Sequence, residues 1–153
     1  MIKSFFCALA LSLMSASLAA AAEIKIVDIK AYLFLEQSGK ISGDIIGAPP
    51  FVNLPKGGGP NHEMATGIIL DMIFSGDKET APKFATATID ITQAGKPGQQ
   101  VTTHKALAAF NFGADGLEHK ALFLENATCM SATILVRAGK SQKTAKLDFA
   151  CKE

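Results

Sequence analysis

From residue 24 onward, apolar and polar residues alternate in short runs, which is the pattern of β-strands rather than of helices. A first strand is predicted from Ile24 to Leu35. Its apolar positions change parity near Val27 and Asp28, and this change predicts a β-bulge between the two halves of the strand. The residues that share the later parity are Ile29, Ala31, Leu33 and Leu35.

Two more strands follow from the same alternation. The run from Ala65 to Ser75 is apolar on both faces, which predicts a central strand of a sheet. The run from Phe84 to Thr92 alternates between apolar and polar residues. It therefore predicts a strand with one face in the core and the other in solvent.

Glycine and proline residues mark the next turns. Residues 94–98 predict a turn that leads into a strand from Gln100 to Phe112. The Asp-Gly dipeptide at 115–116 predicts a two-residue hairpin turn after that strand. In the resulting register, Phe110 would lie opposite Ala121.

A last hairpin is predicted between residues 131–137 and 144–150. In an antiparallel hairpin, the residue numbers of opposite residues have a constant sum. The apolar faces of the two strands lie on the same side only if this sum is odd, whereas Cys129 opposite Cys151 gives an even sum. One extra residue satisfies both conditions, so a bulge is predicted near 130–131.

Short strands separated by turn signals predict an all-β fold, an immunoglobulin-like β-sandwich of about seven to eight strands. A small closed β-barrel is the alternative. The chain from residue 23 to 153 suits one domain with a single core. It lacks the buried Trp of antibody domains, so the similarity to that class is one of architecture.

Residues 1–22 have the order of a secretory signal peptide. Lys3 is followed by an apolar run from Phe5 to Met14 and then by small residues up to Ala22. A membrane-spanning helix needs about 20 predominantly apolar residues, which is longer than this run. We therefore expect cleavage after Ala22, no membrane anchor after cleavage, and a periplasmic or secreted protein.

The charge of the mature chain argues against two classes of partner. The sequence has 15 Lys and Arg against 14 Asp and Glu, and Lys3 leaves with the signal peptide, so the remaining charges balance. A nucleic-acid-binding protein needs a basic stripe, and a peripheral membrane protein needs a polybasic patch. Neither occurs in the sequence, and we expect no nucleic-acid partner.

Two cysteines, Cys129 and Cys151, remain after Cys7 is removed with the signal peptide. In an oxidising compartment, such a pair predicts a structural disulfide bond. A zinc site or a redox-active thiol pair would favour a CxxC spacing, which these cysteines lack.

The segment 38–61 is rich in glycine and proline and predicts a long loop, and long loops in compact domains are often functional. Successive backbone N–H groups of its glycines could bind an anion or a carboxylate beside a lysine. A plain crossover between the two sheets is the alternative. The residues of this candidate binding loop are Lys56, Gly57, Gly58, Gly59 and Asn61.

Copper is the one metal for which the sequence offers ligands, because exported sandwich proteins that carry copper combine His with Met or Glu. The candidate residues have no ligand spacing and would have to meet in space. Ordinary surface positions and core packing are the alternative explanation. The candidates are His62, Met64, His104 and His119.

Three stretches resemble a group of small exported bacterial β-sandwich proteins of unassigned function. They are VDIKAYLFLEQSGKISGDI at 27–45, GGGP at 57–60 and FGADGLEHKALFLENATC at 112–129. The resemblance implies a single periplasmic domain and carries no known site.

The motifs of common enzymes do not occur in the sequence, which has no GxSxG, no HExxH and no unpaired cysteine in the mature chain. We therefore hypothesise a non-catalytic exported module that binds a protein or a cell-envelope component through its loops. A periplasmic copper-binding protein is the alternative.

The first prediction concerns the ends of the mature protein. The intact mass of the exported chain should correspond to a start near Glu23 and lie two hydrogens below the fully reduced value, because Cys129 and Cys151 are bonded. Reduction should lower the free energy of unfolding by about 3 kcal/mol, since the bond closes a loop of about 20 residues. Two free thiols in the native exported protein would contradict the prediction.

Overall fold

Ten β-strands form in the part of the chain that this computed structural model describes, which is residues 24–49, 51–52, 65, 67–76, 87–94, 100–125 and 131–150. These ranges contain no helix that is long and apolar enough to cross a membrane. In chain order, the strands are β1 (Lys25–Leu35), β2 (Lys40–Ile41), β3 (Phe51–Val52), β4 (Gly67–Ser75), β5 (Ala87–Ala94), β6 (Gln100–Leu107), β7 (Leu117–Leu124), β8 (Ala132–Ala138), β9 (Ser141–Leu147) and β10 (Phe149–Ala150).

Eight of these strands form two antiparallel sheets of four strands each. The first sheet has the order β2-β1-β4-β7, and the second sheet has the order β6-β5-β8-β9. The two-residue strands β3 and β10 pair with each other in parallel. Each four-stranded sheet keeps two edges, so the fold is a sandwich and not the closed barrel of the alternative prediction.

The path of the chain through the sheets is that of an immunoglobulin-like sandwich. Without the two-residue strands, the first sheet has the order β1-β4-β7 and the second sheet has the order β6-β5-β8-β9. Counted along the chain, these are strands 1, 2 and 5 in the first sheet and strands 4, 3, 6 and 7 in the second. Immunoglobulin domains place strands A, B and E against strands C′, C, F and G in this way. The predicted fold class is therefore confirmed.

The core lies between the inner faces of the two sheets, where β4 is the most buried strand. The predicted core face of β1 is confirmed, because its four residues are at most 2% exposed. β4 lies between β1 and β7, as predicted for a central strand. Its inner residues, none of which has exposed surface, are Ile68, Leu70, Met72 and Phe74.

The predicted bulge in β1 is present, because the register with β4 shifts between Ile26 and Asp28. The strand before the bulge lies against β9. There the Ile26 N–H donates to Ser141 Oγ at 3.0 Å, and Lys143 Nζ donates to Asp28 Oδ1 at 2.7 Å. This hydrogen bond from Lys143 lowers the pKa of the Asp28 carboxyl.

The predicted hairpin around residues 115–116 is wrong. β6 ends at Leu107 and pairs with β5, whereas β7 pairs with β4 in the other sheet. The turn itself forms, since Gly113 N–H donates to Leu117 O at 2.9 Å. Phe110 does not extend β6 opposite Ala121, because its ring is buried in a crossover between the sheets.

The crossover from β6 to β7 is held by aromatic contacts and by charged groups of β7. The Phe110 ring meets the Phe74 ring edge to face at a centroid distance of 4.9 Å. Lys120 Nζ lies 5.0 Å from the centroid of the Phe110 ring and donates to Ala109 O at 3.0 Å. Glu118 accepts the Asn111 N–H and pairs with Lys120. These contacts close the side of the sandwich between β6 and β7.

The last hairpin has the odd register that its apolar faces require, with Ala132 opposite Leu147 and Ile134 opposite Ala145. Gly139 takes a φ of 56° in the two-residue turn between β8 and β9, a conformation that favours glycine. Cys129, Cys151 and residue 130 of the predicted bulge at 130–131 lie outside the described residues, so the bulge and the disulfide bond stay predictions.

A second prediction follows from the crossover, where Ala109 has a φ of 58°. Left-handed backbone is costly for alanine and free for glycine, and the greater freedom of glycine in the unfolded chain offsets part of the gain. Ala109→Gly should therefore raise the free energy of unfolding by about 0.5–1 kcal/mol in urea denaturation.

Ala106→Gly is the matched control, because Ala106 is an exposed alanine inside strand β6. It should lower the free energy of unfolding by roughly 0.5–1 kcal/mol, the usual effect of glycine within a strand. An equal decrease in the free energy of unfolding of both variants would contradict backbone strain at Ala109.

Candidate binding surface

The outer face of the first sheet carries a continuous group of apolar side chains. Cross-strand pairing places Phe34 opposite Ile41, Tyr32 opposite Ile69, and Ile69 opposite Phe123. Ile41 is 60% exposed, Phe123 is 49% exposed and Phe34 is 36% exposed. We call these five residues the apolar face.

Gly67 provides the space in which the apolar face is assembled. The Phe123 ring lies over Gly67, and a Cβ atom at position 67 would overlap the ring. The ring therefore covers the backbone of β4 at this position. Since Gly67 is also opposite Phe34, the two phenylalanines lie on either side of the same glycine.

The outer face of the second sheet differs in chemistry. Asp90 on β5 pairs with His104 on β6 and with Arg137 on β8. The hydroxyls of Thr92 and Thr102 lie 3.1 Å apart, within hydrogen-bond distance. The two outer faces of the sandwich are thus unequal: one is apolar around Phe123, and the other is a network of polar and charged groups.

The electrostatics of the polar network centre on Asp90. The hydrogen bond from His104, and then the one from Arg137, hold the pKa of the Asp90 carboxyl below its ordinary value. His119 on the first sheet has a similar partner, because its Nδ1 lies 2.9 Å from both carboxylate oxygens of Asp71. Each of these two histidines is thus bound to a carboxylate of its own sheet.

A shallow depression of ≈ 240 Å³ lies at one end of the second sheet. Its lining includes Thr92, Gln100, Lys146 and Asp148. Sites for small molecules usually enclose roughly 300–1,000 Å³ and are mostly apolar. This depression is smaller and polar, so it does not have the features of such a site.

The copper ligands suggested by the sequence are only partly described. His104 lies on the outer face of the second sheet, and His119 lies on the outer face of the first, so the sandwich separates them. In the described ranges, no three side chains of His, Cys, Asp or Glu come together as metal ligands. His62 and Met64 lie outside those ranges, and copper binding stays a prediction.

Several other predicted residues also lie outside the described part of the chain. They are the signal peptide at 1–22, the cysteines of the predicted disulfide, Cys129 and Cys151, and the candidate binding loop of Lys56, Gly57, Gly58, Gly59 and Asn61. The apolar face, in contrast, was not predicted. Its signal in the sequence is the pair of aromatic residues Tyr32 and Phe34 at the solvent-facing parity of the first strand.

Comparison with known proteins does not assign the chain to a family. No protein-family model and no curated protein matches the sequence. The hypotheses on function therefore depend on the surface chemistry of the sandwich.

A third prediction concerns Asp90 in acid. Because the pKa of Asp90 is lower in the folded chain than its ordinary value of 3.8, its pairing contributes stability that is fully present above about pH 4. This stability is lost as the pH falls through the folded-state pKa. His104→Ala removes the larger cause, so it should raise the pKa of Asp90 and reduce the acid dependence of unfolding.

NMR titration of the Asp90 carboxyl carbon measures the shift directly. His119→Ala is the matched control, because it removes a histidine that pairs with Asp71 on the other sheet. The control should leave the pKa of Asp90 unchanged. An unchanged pKa in His104→Ala would show that the histidine does not stabilise the carboxylate.

Proposed function

We propose that this protein is a non-catalytic exported module that binds a protein of the cell envelope through the apolar face of its first sheet. The observation that supports the proposal is the difference between the two outer faces. Both are outer faces of the same sandwich. The first carries Phe34, Ile41 and Phe123 in solvent beside the pair of His119 and Asp71, whereas the second carries the charged pairs of Asp90. Contiguous exposed apolar patches in soluble proteins commonly mark interaction sites.

The shape of the apolar face favours a protein partner over a small molecule. A small ligand needs a concave site that covers most of its surface. The apolar face instead lies across the four strands of the first sheet, from Ile41 on β2 to Phe123 on β7, and offers rows of side chains. A partner with a complementary apolar surface would bury these side chains together, and aromatic residues are the side chains most enriched at such contacts.

The face is also held in position before binding. Ile69 extends from β4, whose other side is the buried centre of the core, and the Phe123 ring packs over Gly67. Side chains that are already ordered lose little conformational entropy when a partner arrives. The glycine-rich segment 56–61 is a second proposed contact with the partner, because its composition suits a recognition loop.

The fourth prediction tests the apolar face. Ile41→Ser removes an apolar side chain that is 60% exposed on a two-residue strand, so it should leave folding nearly unchanged. It should weaken partner binding about tenfold, because roughly 1.4 kcal/mol of apolar burial is lost. Cross-linking in intact cells, with identification of the cross-linked protein by mass spectrometry, measures the yield for one defined partner.

Val101→Ser is the matched control, since Val101 is 56% exposed on β6 of the second sheet. The same partner should cross-link to the control as well as to the wild type. An equal loss of cross-linking yield in Ile41→Ser and Val101→Ser would refute the proposal that the partner binds the first sheet. Loss only when residues 56–61 are shortened to a turn would place the contact on the loop instead.

A further inference from the structure

The edge of the first sheet formed by β7 has backbone groups that no other described residue pairs with. Gly76 N–H donates to Gly116 O, and hydrogen-bonded pairs alternate with non-bonded pairs along an antiparallel ladder. Every second residue of β7, beginning at Glu118, therefore bonds to β4. The residues between them direct their N–H and C=O groups outward and have no backbone partner in the described chain. They are His119, Ala121 and Phe123.

The side chains beside this edge leave it accessible. His119 turns toward Asp71 on β4, and the Phe123 ring lies over Gly67 on β4. Ala121, between them, is exposed and carries only a methyl group. Both large side chains thus lean away from the free backbone groups.

The inner side of β7 presents no unpaired charge to a new strand. Glu118 and Lys120 are paired with each other, and their side chains are only 12% and 21% exposed. Inward-pointing charges commonly protect strand edges, because a second strand would bury them without a partner. Here the charges are already compensated by each other and by the crossover, so pairing at β7 has little of this cost.

The other edges of the two sheets are less suited to pairing. The β1 segment before the bulge lies against β9, and β2 has only two residues. β6 is a long edge, but its Lys105 lies at the inward-facing parity, opposite buried Ile89, and has no ion-pair partner in the described chain. A strand added at β6 would meet that charge.

We propose that two copies of this chain associate through their β7 edges, paired antiparallel across a two-fold axis at Ala121. This register sets Ala121 against Ala121 and His119 against Phe123 of the second copy, so it uses the free groups of all three outward residues. A register centred on His119 would instead require Leu117, whose N–H and C=O are already bonded to Asp115 and Gly113.

The charges of the chain are compatible with this self-pairing. In the Ala121 register, Lys120 lies opposite Leu122 and Glu118 opposite Leu124 of the second copy, so no like charges are directly opposed. Basic and acidic residues balance once Lys3 is removed with the signal peptide, and a net charge near zero favours association. Of the apolar face, the pairing uses only the backbone of Phe123, so this proposal does not depend on the proposed function.

The fifth prediction tests the pairing with Ala121→Lys, which sets two positive charges directly against each other at the axis. Sedimentation velocity at increasing concentration should detect a dimer of the wild type and only a monomer of the variant. Ala106→Lys places the same exposed substitution on the β6 edge and should still dimerise. A wild type that stays monomeric at millimolar concentration, or a dimer abolished only by Ala106→Lys, would overturn the proposal.

Amide hydrogen exchange of the wild type provides an independent measurement without any substitution. The amides of His119, Ala121 and Phe123 should exchange rapidly in dilute solution and become protected as the dimer forms. A dimer in which these three amides stay unprotected would also overturn the proposal, because the copies would then meet elsewhere.

Discussion

The packing of β4 between β1 and β7 is the constraint on which the rest of the sandwich depends. The inner residues of β4 have no exposed surface, and each such side chain contributes about 1.5–3 kcal/mol of hydrophobic stabilisation. The outer residues of the same strand form the floor of the apolar face, through Gly67 and Ile69. One strand therefore supplies both the centre of the core and the support of the candidate surface.

A sandwich of this topology must also close the side where the chain passes from β6 to β7. Phe110 supplies the apolar contact with Phe74, and Lys120 supplies a cation over the Phe110 ring and a donor to the Ala109 carbonyl. The backbone of Ala109 accepts an unfavourable φ to make this arrangement possible. The inward-facing charges of β7, on Glu118 and Lys120, are paired in the same contacts. This edge of the sheet therefore lacks the unpaired charges that usually prevent strand association.

Much of the fold could be predicted from alternation alone, because a period of two reports which face of a strand is buried. The core face of β1, the bulge at Val27 and Asp28, and the odd register of the last hairpin all follow from it. The crossover could not be predicted in this way. Apolar residues at 110 and 112 give the same pattern in a strand as in a buried connection, and the partner of β7 is distant in sequence.

The apolar face was missed for a related reason. A central position in the sheet is a sufficient explanation for apolar residues on both sides of β4. The register of β4 with β1 and β7 is needed to show that Ile69 lies next to Tyr32 and Phe123 on the outer face. Gly67 is uninformative by itself, because its small size matters only once the Phe123 ring is placed over it. A core needs apolar residues on one side of a sheet, whereas a binding surface needs them on the other. The second set adds little to the stability of the isolated domain, and it is the observation on which the proposed protein partner rests.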